Sequence, residues 1–223
     1  MDRKLFFEAI SKFLLGVVLV GALLFWPAGT IFWPGGIRFM LLLFVPMFIA
    51  GLIMLKKSPE LLRSRLDARE KEKEQSLVVK ISGLMFLVGF ILAGLSYRNG
   101  WLLMPEWLSI VGCVLFLLAY ALYAEVLREN VWLSRTIEVQ ENQKVLDTGL
   151  YGIVRHPMYS TTLLLFFSMP LILGSALCLL VFMAYPFIIV KRLKNEEKLL
   201  EEKLEGYVEY KQKVRYRLLP FVW

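Results

Sequence analysis

The sequence predicts an all-α, polytopic membrane helix bundle: four spans, then a C-terminal helical hairpin, about six membrane helices in all, with amphipathic helices on the cytoplasmic face. Three observations predict it. Hydrophobic residues make up 58% of the 223, above the roughly 45–50% of soluble chains. The excess is gathered in blocks of membrane-crossing length. Lysine and arginine, in turn, concentrate in alternate connections between the blocks.

The first apolar block, 13–27, resembles a signal peptide in hydropathy. It lacks a small-residue cleavage site and further apolar blocks follow, so it is read as a span. Blocks near 38–55, 79–97 and 107–126 each have one-helix length, given a hydrocarbon core of ~30 Å and 1.5 Å of rise per residue. The stretch from about 161 to 190 is long for one crossing and contains Pro170, Gly174-Ser175 and Pro186, which break or bend helices. It predicts two helices joined near Gly174-Ser175 that return to their starting side, with one strongly tilted helix as the alternative. Residues 1–126 then form a four-span region and 127–223 a site-bearing region, within one integrated domain.

Two polar segments carry helical signals of their own. In "KKSPELLRSRLDAREKEKEQ", Ser58-Pro59-Glu60 is a good helix start, and Leu61, Leu62 and Leu66 suggest a short surface helix. A solvated connector is the plain alternative. In the tail, Leu193, Leu200, Leu204 and Tyr207 fall at helical spacing, predicting an amphipathic helix that leaves the last span.

The charge pattern tests the hairpin. If the N-terminus, 56–80, 127–160 and 191–223 share a face, they hold 3, 8, 4 and 9 Lys/Arg residues, 24 of the 26. The opposite face keeps only Arg38 and Arg98. This asymmetry places both termini, and any site near them, in the cytoplasm of a cell membrane or endomembrane. The net charge of +7 is therefore a topology signal. The basic segments interleave with acids and carry no stacking motif, which speaks against nucleic acid as a partner. One histidine and two distant cysteines, Cys113 and Cys178, offer neither a disulfide framework nor a metal site.

Groups capable of chemistry lie in two stretches that flank the hairpin, Asn130–Tyr159 and Lys191–Pro220. A returning hairpin brings Arg155, His156 and Tyr159 against Arg192, Glu196 and Glu197. Each has a plain reading as well. "RHP" at a helix entrance can be an interfacial anchor, with Pro157 starting the helix. "KNEEKLLEEK" can be a solvated face with i,i+4 ion pairs. Trp101 and Trp107 read as aromatic-belt residues, Ser82, Ser96 and Ser168 as packing residues, and Glu125 as an interface marker.

"TGLYGIVRHPMY", an apolar hairpin, "RLKNEEKLL" and "GYVEYKQKVRYRLLP" follow in the order and spacing of a known family. Residues 125–221 resemble the isoprenylcysteine carboxyl methyltransferases, part of a group of integral-membrane methyltransferases that includes the phospholipid N-methyltransferases. "ENVWLSRTIEVQENQKVLDTG" is similar to that family's lead-in. The resemblance implies S-adenosylmethionine as cofactor and a lipophilic small-molecule or prenylated substrate reached from the lipid bilayer. Its Arg-His-Pro-x-Tyr falls on Arg155, His156, Pro157 and Tyr159, and its Arg-x3-Glu-Glu on Arg192, Glu196 and Glu197. Its tail falls on Tyr210 and on Arg217, Leu218 and Pro220. Thr161 stands where the family often has glycine, and Leu204-Glu205-Gly206 replaces its usual Phe-Gly.

The resemblance thus implies Tyr151, Arg155, His156, Pro157, Tyr159, Glu196, Glu197 and Tyr210 at the cofactor, with Arg192 and Glu197 at the reacting centre. Chemically, Arg155 and His156 suit the cofactor's carboxylate, and Glu196 or Glu197 its ammonium or ribose hydroxyls. Tyr151 and Tyr159 suit adenine or bound lipid. A carboxylate acceptor needs no base, whereas an amine would need one, and Glu197 is the first candidate. Two rival readings are an NADPH-dependent sterol- or enone-type reductase, which shares only "RHPxY", and a small membrane scaffold or transporter. A transporter predicts ionisable groups at mid-membrane, and this chain keeps them at the ends.

Overall fold

The computed structural model describes residues 3–66, 73–133 and 139–223. Two sequence readings extend beyond them: the end of the surface connector, 67–72, and the lead-in residues 134–138 lie outside the described residues. The described chain is helical, with no strand and a single β-bridge between Leu103 and Ser175.

Helices α1 (Arg3–Ala28), α2 (Pro34–Lys57), α4 (Lys73–Asn99) and α5 (Glu106–Glu129) coincide with the four predicted spans, each longer than its apolar block. Charged and polar turns continue these helices past the apolar stretch, because leaving the hydrocarbon core does not end a helix. Between α2 and α4 lies α3 (Pro59–Leu66), the predicted surface helix, whose Leu62 is buried. Four of these helices, together with Ala176–Lys203, are long and apolar enough to cross a membrane, and Pro157–Leu173 is a shorter apolar helix.

The long C-terminal stretch folds as the predicted hairpin. Helix α6 (Pro157–Leu173) ends at Gly174, whose φ of 68° is left-handed. There its N–H closes on Leu171 and Pro170, and glycine takes that conformation without a Cβ penalty. Ser175 then caps α7 (Ala176–Phe182), accepting from the Cys178 N–H. A break at Met183-Ala184, one turn ahead of Pro186, starts α8 (Tyr185–Lys203). The hairpin tip is pinned to the α4–α5 loop by Met104 N–H to the Gly174 carbonyl at 2.9 Å and Ala176 N–H to the Leu102 carbonyl at 3.1 Å. Buried Ser96 and Ser175 hydroxyls bond at 2.9 Å beneath it. Arg38 pairs with Glu106, and Arg98 lies under Gly29, so both isolated arginines share this end with the α1–α2, α4–α5 and α6–α7 turns.

Aromatic rings fill the centre. Phe39 meets Phe90 and Phe116, and Phe86 meets Phe166 and Phe182 at centroid distances of 4.8 and 5.3 Å. Lipid is as apolar as these side chains, so close packing rather than hydrophobicity must hold the helices together. Small residues permit it: a Cβ on Gly94 would sit 2.6 Å from the Leu24 carbonyl oxygen of α1. One on Gly112 would sit 2.8 Å from the Ile172 nitrogen of α6.

The tail corrects one expectation. The Leu193–Tyr207 spacing predicts one continuous helix, but α8 stops at Lys203 and α9 (Tyr207–Lys213) begins after Gly206 at φ 81°. Leu204 and Tyr207 are both buried, yet Leu204 caps the end of α8 and Tyr207 opens α9, because the glycine turns the chain back toward the α6 entrance.

Candidate functional site

The site lies at the charged end of the bundle, opposite the hairpin tip. A short 3-10 turn, Gly149–Gly152, leads into it from α5. Gly149 has φ 49°, and a Cβ there would overlap the Glu129 carboxylate, which accepts the Leu150 N–H at 3.2 Å. His156 then occupies the N-cap of α6 with Pro157 in the first turn, so Pro157 is the helix starter that the sequence suggested.

Residues 155–156 are clamped by the C-terminal tail. Arg155 N–H donates to the Tyr216 carbonyl at 2.9 Å and His156 N–H to the Arg217 carbonyl at 3.0 Å. Ser160 adds its hydroxyl to the Leu218 carbonyl at 2.6 Å. The clamp brings both residues to α8. That helix leaves the apolar stretch at Val190 and continues through charged turns, Lys191–Lys203.

There Glu197 is the hub. Its Oε1 accepts from Arg155 Nε at 2.7 Å and stands 3.2 Å from His156 Nε2; its Oε2 accepts from Arg217 Nε at 2.9 Å. The side chains of Arg155, His156 and Glu197 are each 5% exposed. Burial works to raise the Glu197 pKa, but hydrogen bonds and charge from His156 and Arg155 overcome it and hold the carboxyl down at about 2. Arg155 also gives Nη1 to the Val214 and Arg215 carbonyls, both at 2.8 Å. Its Nε and Nη1 donors therefore go to the protein, while Arg155 also borders the cavity beside the cluster. Arg217, which the tail motif contains but the sequence did not assign to the site, completes the cluster and stacks over Trp223 at 5.0 Å.

Glu196, one residue earlier, points elsewhere. Its Oε2 accepts the Tyr159 hydroxyl, which in turn receives Arg192 Nε at 3.2 Å. Tyr159 is buried and stacks on His156 with centroids 5.8 Å apart. Arg192 thus meets the site through Tyr159. It does not border the cavity beside it.

That cavity is walled by Tyr151, His156, Tyr159, Glu196, Tyr207 and Tyr210 together with the lead-in residues Asn130 and Trp132. Asn130 Nδ2 donates to the Tyr151 hydroxyl at 2.7 Å, and the Tyr210 hydroxyl to the Tyr151 carbonyl at 2.7 Å. Burial raises the phenols of Tyr151, Tyr207 and Tyr210: Tyr151 reaches about 12, and the other two go higher. Tyr207 differs from the others. Its hydroxyl is buried and has no hydrogen-bond partner among the described residues. The carboxylates of Glu197 and Glu196 add to its upward shift, so it is a neutral donor beside two anions. Sequence reasoning placed Tyr207 on an amphipathic face; only the Gly206 break aims it here.

Several of the residues given plain readings lie away from the cavity. Glu125 pairs with Arg128 at the surface, and Trp101 and Trp107 are exposed near the hairpin tip. Lys198 and Glu202, and Lys211 and Glu201, form ion pairs on the outer face of the tail.

Residues 107–205 match the family model described as phospholipid methyltransferase. The matched segment runs from α5 through α8 and contains Tyr151, Arg155, His156, Tyr159, Glu196 and Glu197. It is similar to the integral-membrane methyltransferases and supports a membrane methyltransferase. No curated protein sequence matches the chain.

Proposed function

We propose that this protein is an S-adenosylmethionine-dependent methyltransferase that acts on a lipophilic acceptor at the charged end of its bundle. The reaction is carboxyl O-methylation of the isoprenylcysteine type. One observation carries the reading. A cavity at the feet of the α6–α8 hairpin is lined by an incompletely bonded carboxylate, an orphaned buried hydroxyl and aromatic rings.

The residues fit such a cofactor. Glu196 and the Tyr207 hydroxyl suit its ammonium or ribose hydroxyls, and Tyr151 and Trp132 offer flat surfaces to adenine. When bound, S-adenosylmethionine supplies a methyl group activated by a sulfonium. The protein's part is positioning. Arg155, His156, Glu197 and Arg217 lock the α6 entrance to α8 and the tail, which fixes the cavity walls, and the rings exclude water.

The hub also bears on the acceptor. With three donors on its oxygens and a pKa near 2, Glu197 is a poor proton acceptor. A carboxylate acceptor arrives already ionised, so no residue need take a proton from it. The phospholipid methyltransferase match favours an amine instead, and Glu196 is then the base.

Calorimetry on detergent-purified protein tests the reading: S-adenosylhomocysteine binds and NADPH does not. The reverse pattern would return the chain to the reductase reading. Transfer of labelled methyl to a prenylated cysteine analogue, rather than to phosphatidylethanolamine, then fixes the acceptor.

A further inference from the structure

Apart from its tyrosines, the cavity at the feet of the hairpin is bordered by four ionisable side chains: Lys144, Arg155, His156 and Glu196. Three of them are engaged within the protein. Arg155 and His156 both meet the Glu197 carboxylate, at 2.7 and 3.2 Å. One Glu196 oxygen accepts the Tyr159 hydroxyl. Lys144 makes no hydrogen bond or ion pair among the described residues. An unpaired lysine on an open surface needs no explanation. This one stands on the wall of a cavity.

The backbone around Lys144 is held on both sides. Before it the chain turns at Glu141-Asn142, with Asn142 at φ 58°, a left-handed conformation that asparagine tolerates better than most residues. Gln143 N–H closes the turn on the Gln140 carbonyl at 3.1 Å, and Gln140 Nε2 ties it to the Trp132 carbonyl at 2.8 Å. After it, Val145 packs against the buried cluster of Leu204, Tyr207 and Tyr210. The acids of this segment do not claim the lysine. Asp147 pairs with Lys213 at 2.6 Å, and Glu141 forms no ion pair with Lys144. An exposed cation is thus presented at the mouth of the cavity, while His156 and Tyr159 are buried on its inner wall.

The wall therefore carries one carboxylate, Glu196, and one cation with no partner in the protein. Arg155 borders the cavity too, but its Nε and Nη1 hold Glu197 and the tail carbonyls, so its charge is shared with a buried carboxylate. S-adenosylmethionine ends in an α-amino acid group, which presents an ammonium and a carboxylate together. Each is bound best by a charge-assisted hydrogen bond from a group of opposite sign.

We infer that Lys144 binds the carboxylate at the amino-acid end of the cofactor, with Glu196 at its ammonium. This rests on the methyltransferase reading above, and it moves to Lys144 the role that residue type alone suggested for Arg155 and His156. Lys144 thereby distinguishes a nucleoside ligand with a carboxylate from one without. Its position at an open mouth leaves the contact exposed to screening by salt.

Calorimetry of the full chain in detergent tests it with S-adenosylhomocysteine and the decarboxylated form of that ligand, which keeps the amine and lacks only the carboxylate. The parent prefers S-adenosylhomocysteine by on the order of fivefold, the upper scale of an exposed ion pair. Lys144→Met melts like the parent, loses that preference and binds the decarboxylated form as the parent does. Lys144→Arg keeps the preference. Added salt weakens S-adenosylhomocysteine binding more in the parent than in Lys144→Met. Unchanged S-adenosylhomocysteine affinity in Lys144→Met overturns the assignment and leaves Arg155 as the carboxylate's partner. Equal binding of the two ligands by the parent overturns it, and so does an equal loss of both in the variant, since the lysine then shapes the cavity without meeting the carboxylate. A parent that binds neither ligand overturns the cofactor reading itself, and the role of Lys144 with it.

Discussion

Glu196 and Glu197 are neighbours in the chain yet belong to two different regions of the site. Around Glu197 both oxygens are engaged: Arg155, His156 and Arg217 converge on one buried carboxylate. Around Glu196 the polar groups are incompletely bonded. One oxygen holds the Tyr159 hydroxyl, and the Tyr207 hydroxyl beside it has no partner among the described residues. A saturated cluster fixes backbone, here joining α6, α8 and the tail. An unsaturated wall leaves hydrogen-bonding capacity for a ligand. Consecutive residues on a helix point about 100° apart, so a Glu-Glu pair serves both purposes without a change of element.

The largest effect should come from breaking the saturated side. Glu197→Ala leaves Arg155 and His156 buried without their carboxylate, and removing one partner of a buried pair costs about 3–5 kcal/mol. A thermal melt in detergent should show a large loss of stability, with ligand binding lost along with the fold. If the variant melts like the parent, Glu197 is not the hub. The same cluster has a pH signature. Its carboxyl pKa is depressed from an ordinary 4.5 to about 2. The stabilisation it contributes is therefore present above the ordinary value and lost as pH falls through the folded one. Melting temperature measured from pH 6 down to pH 2 should fall steeply in that acid window, and Glu197→Gln should flatten the fall.

Much of this was legible in advance, and the exceptions share a cause. Gly174-Ser175 between two prolines announced the hairpin tip, and the charge pattern put Arg38 and Arg98 at its end of the bundle. That Arg155, His156 and Tyr159 meet Arg192, Glu196 and Glu197 followed from the hairpin alone. Which donor serves which acceptor did not follow. Leu200, Leu204 and Tyr207 fit one helical stripe, and only the left-handed turn at Gly206 divides it. Arg217 joins the hub because the tail folds back across the α6 entrance, a long-range event with no periodic signal. Spacing brings groups into one neighbourhood; backbone reversals decide their partners.

On the unsaturated side the expected losses are in affinity, not stability. Glu196→Gln keeps the shape and an acceptor for Tyr159 but removes the charge. It should weaken S-adenosylhomocysteine binding by on the order of tenfold or more, the scale of a hydrogen bond to a charged group. Its melting temperature should stay within a degree or two of the parent's, the scale of a surface substitution.

Tyr207→Phe should have the smallest effect and makes the sharpest distinction. If the hydroxyl is merely buried, its removal discards an unsatisfied polar group, and the unliganded protein should melt at the same temperature or higher. If it also meets the ligand, S-adenosylhomocysteine affinity should drop severalfold in the same variant, the scale of a neutral hydrogen bond. The two readouts move in opposite directions only for a group that the folded protein leaves unpaired and the ligand completes. A lowered melting temperature with unchanged affinity would make Tyr207 part of the scaffold and place it with Glu197. An affinity loss with undiminished stability would extend the ligand-facing wall from α8 to α9, onto a helix that packs there because Gly206 turns the chain.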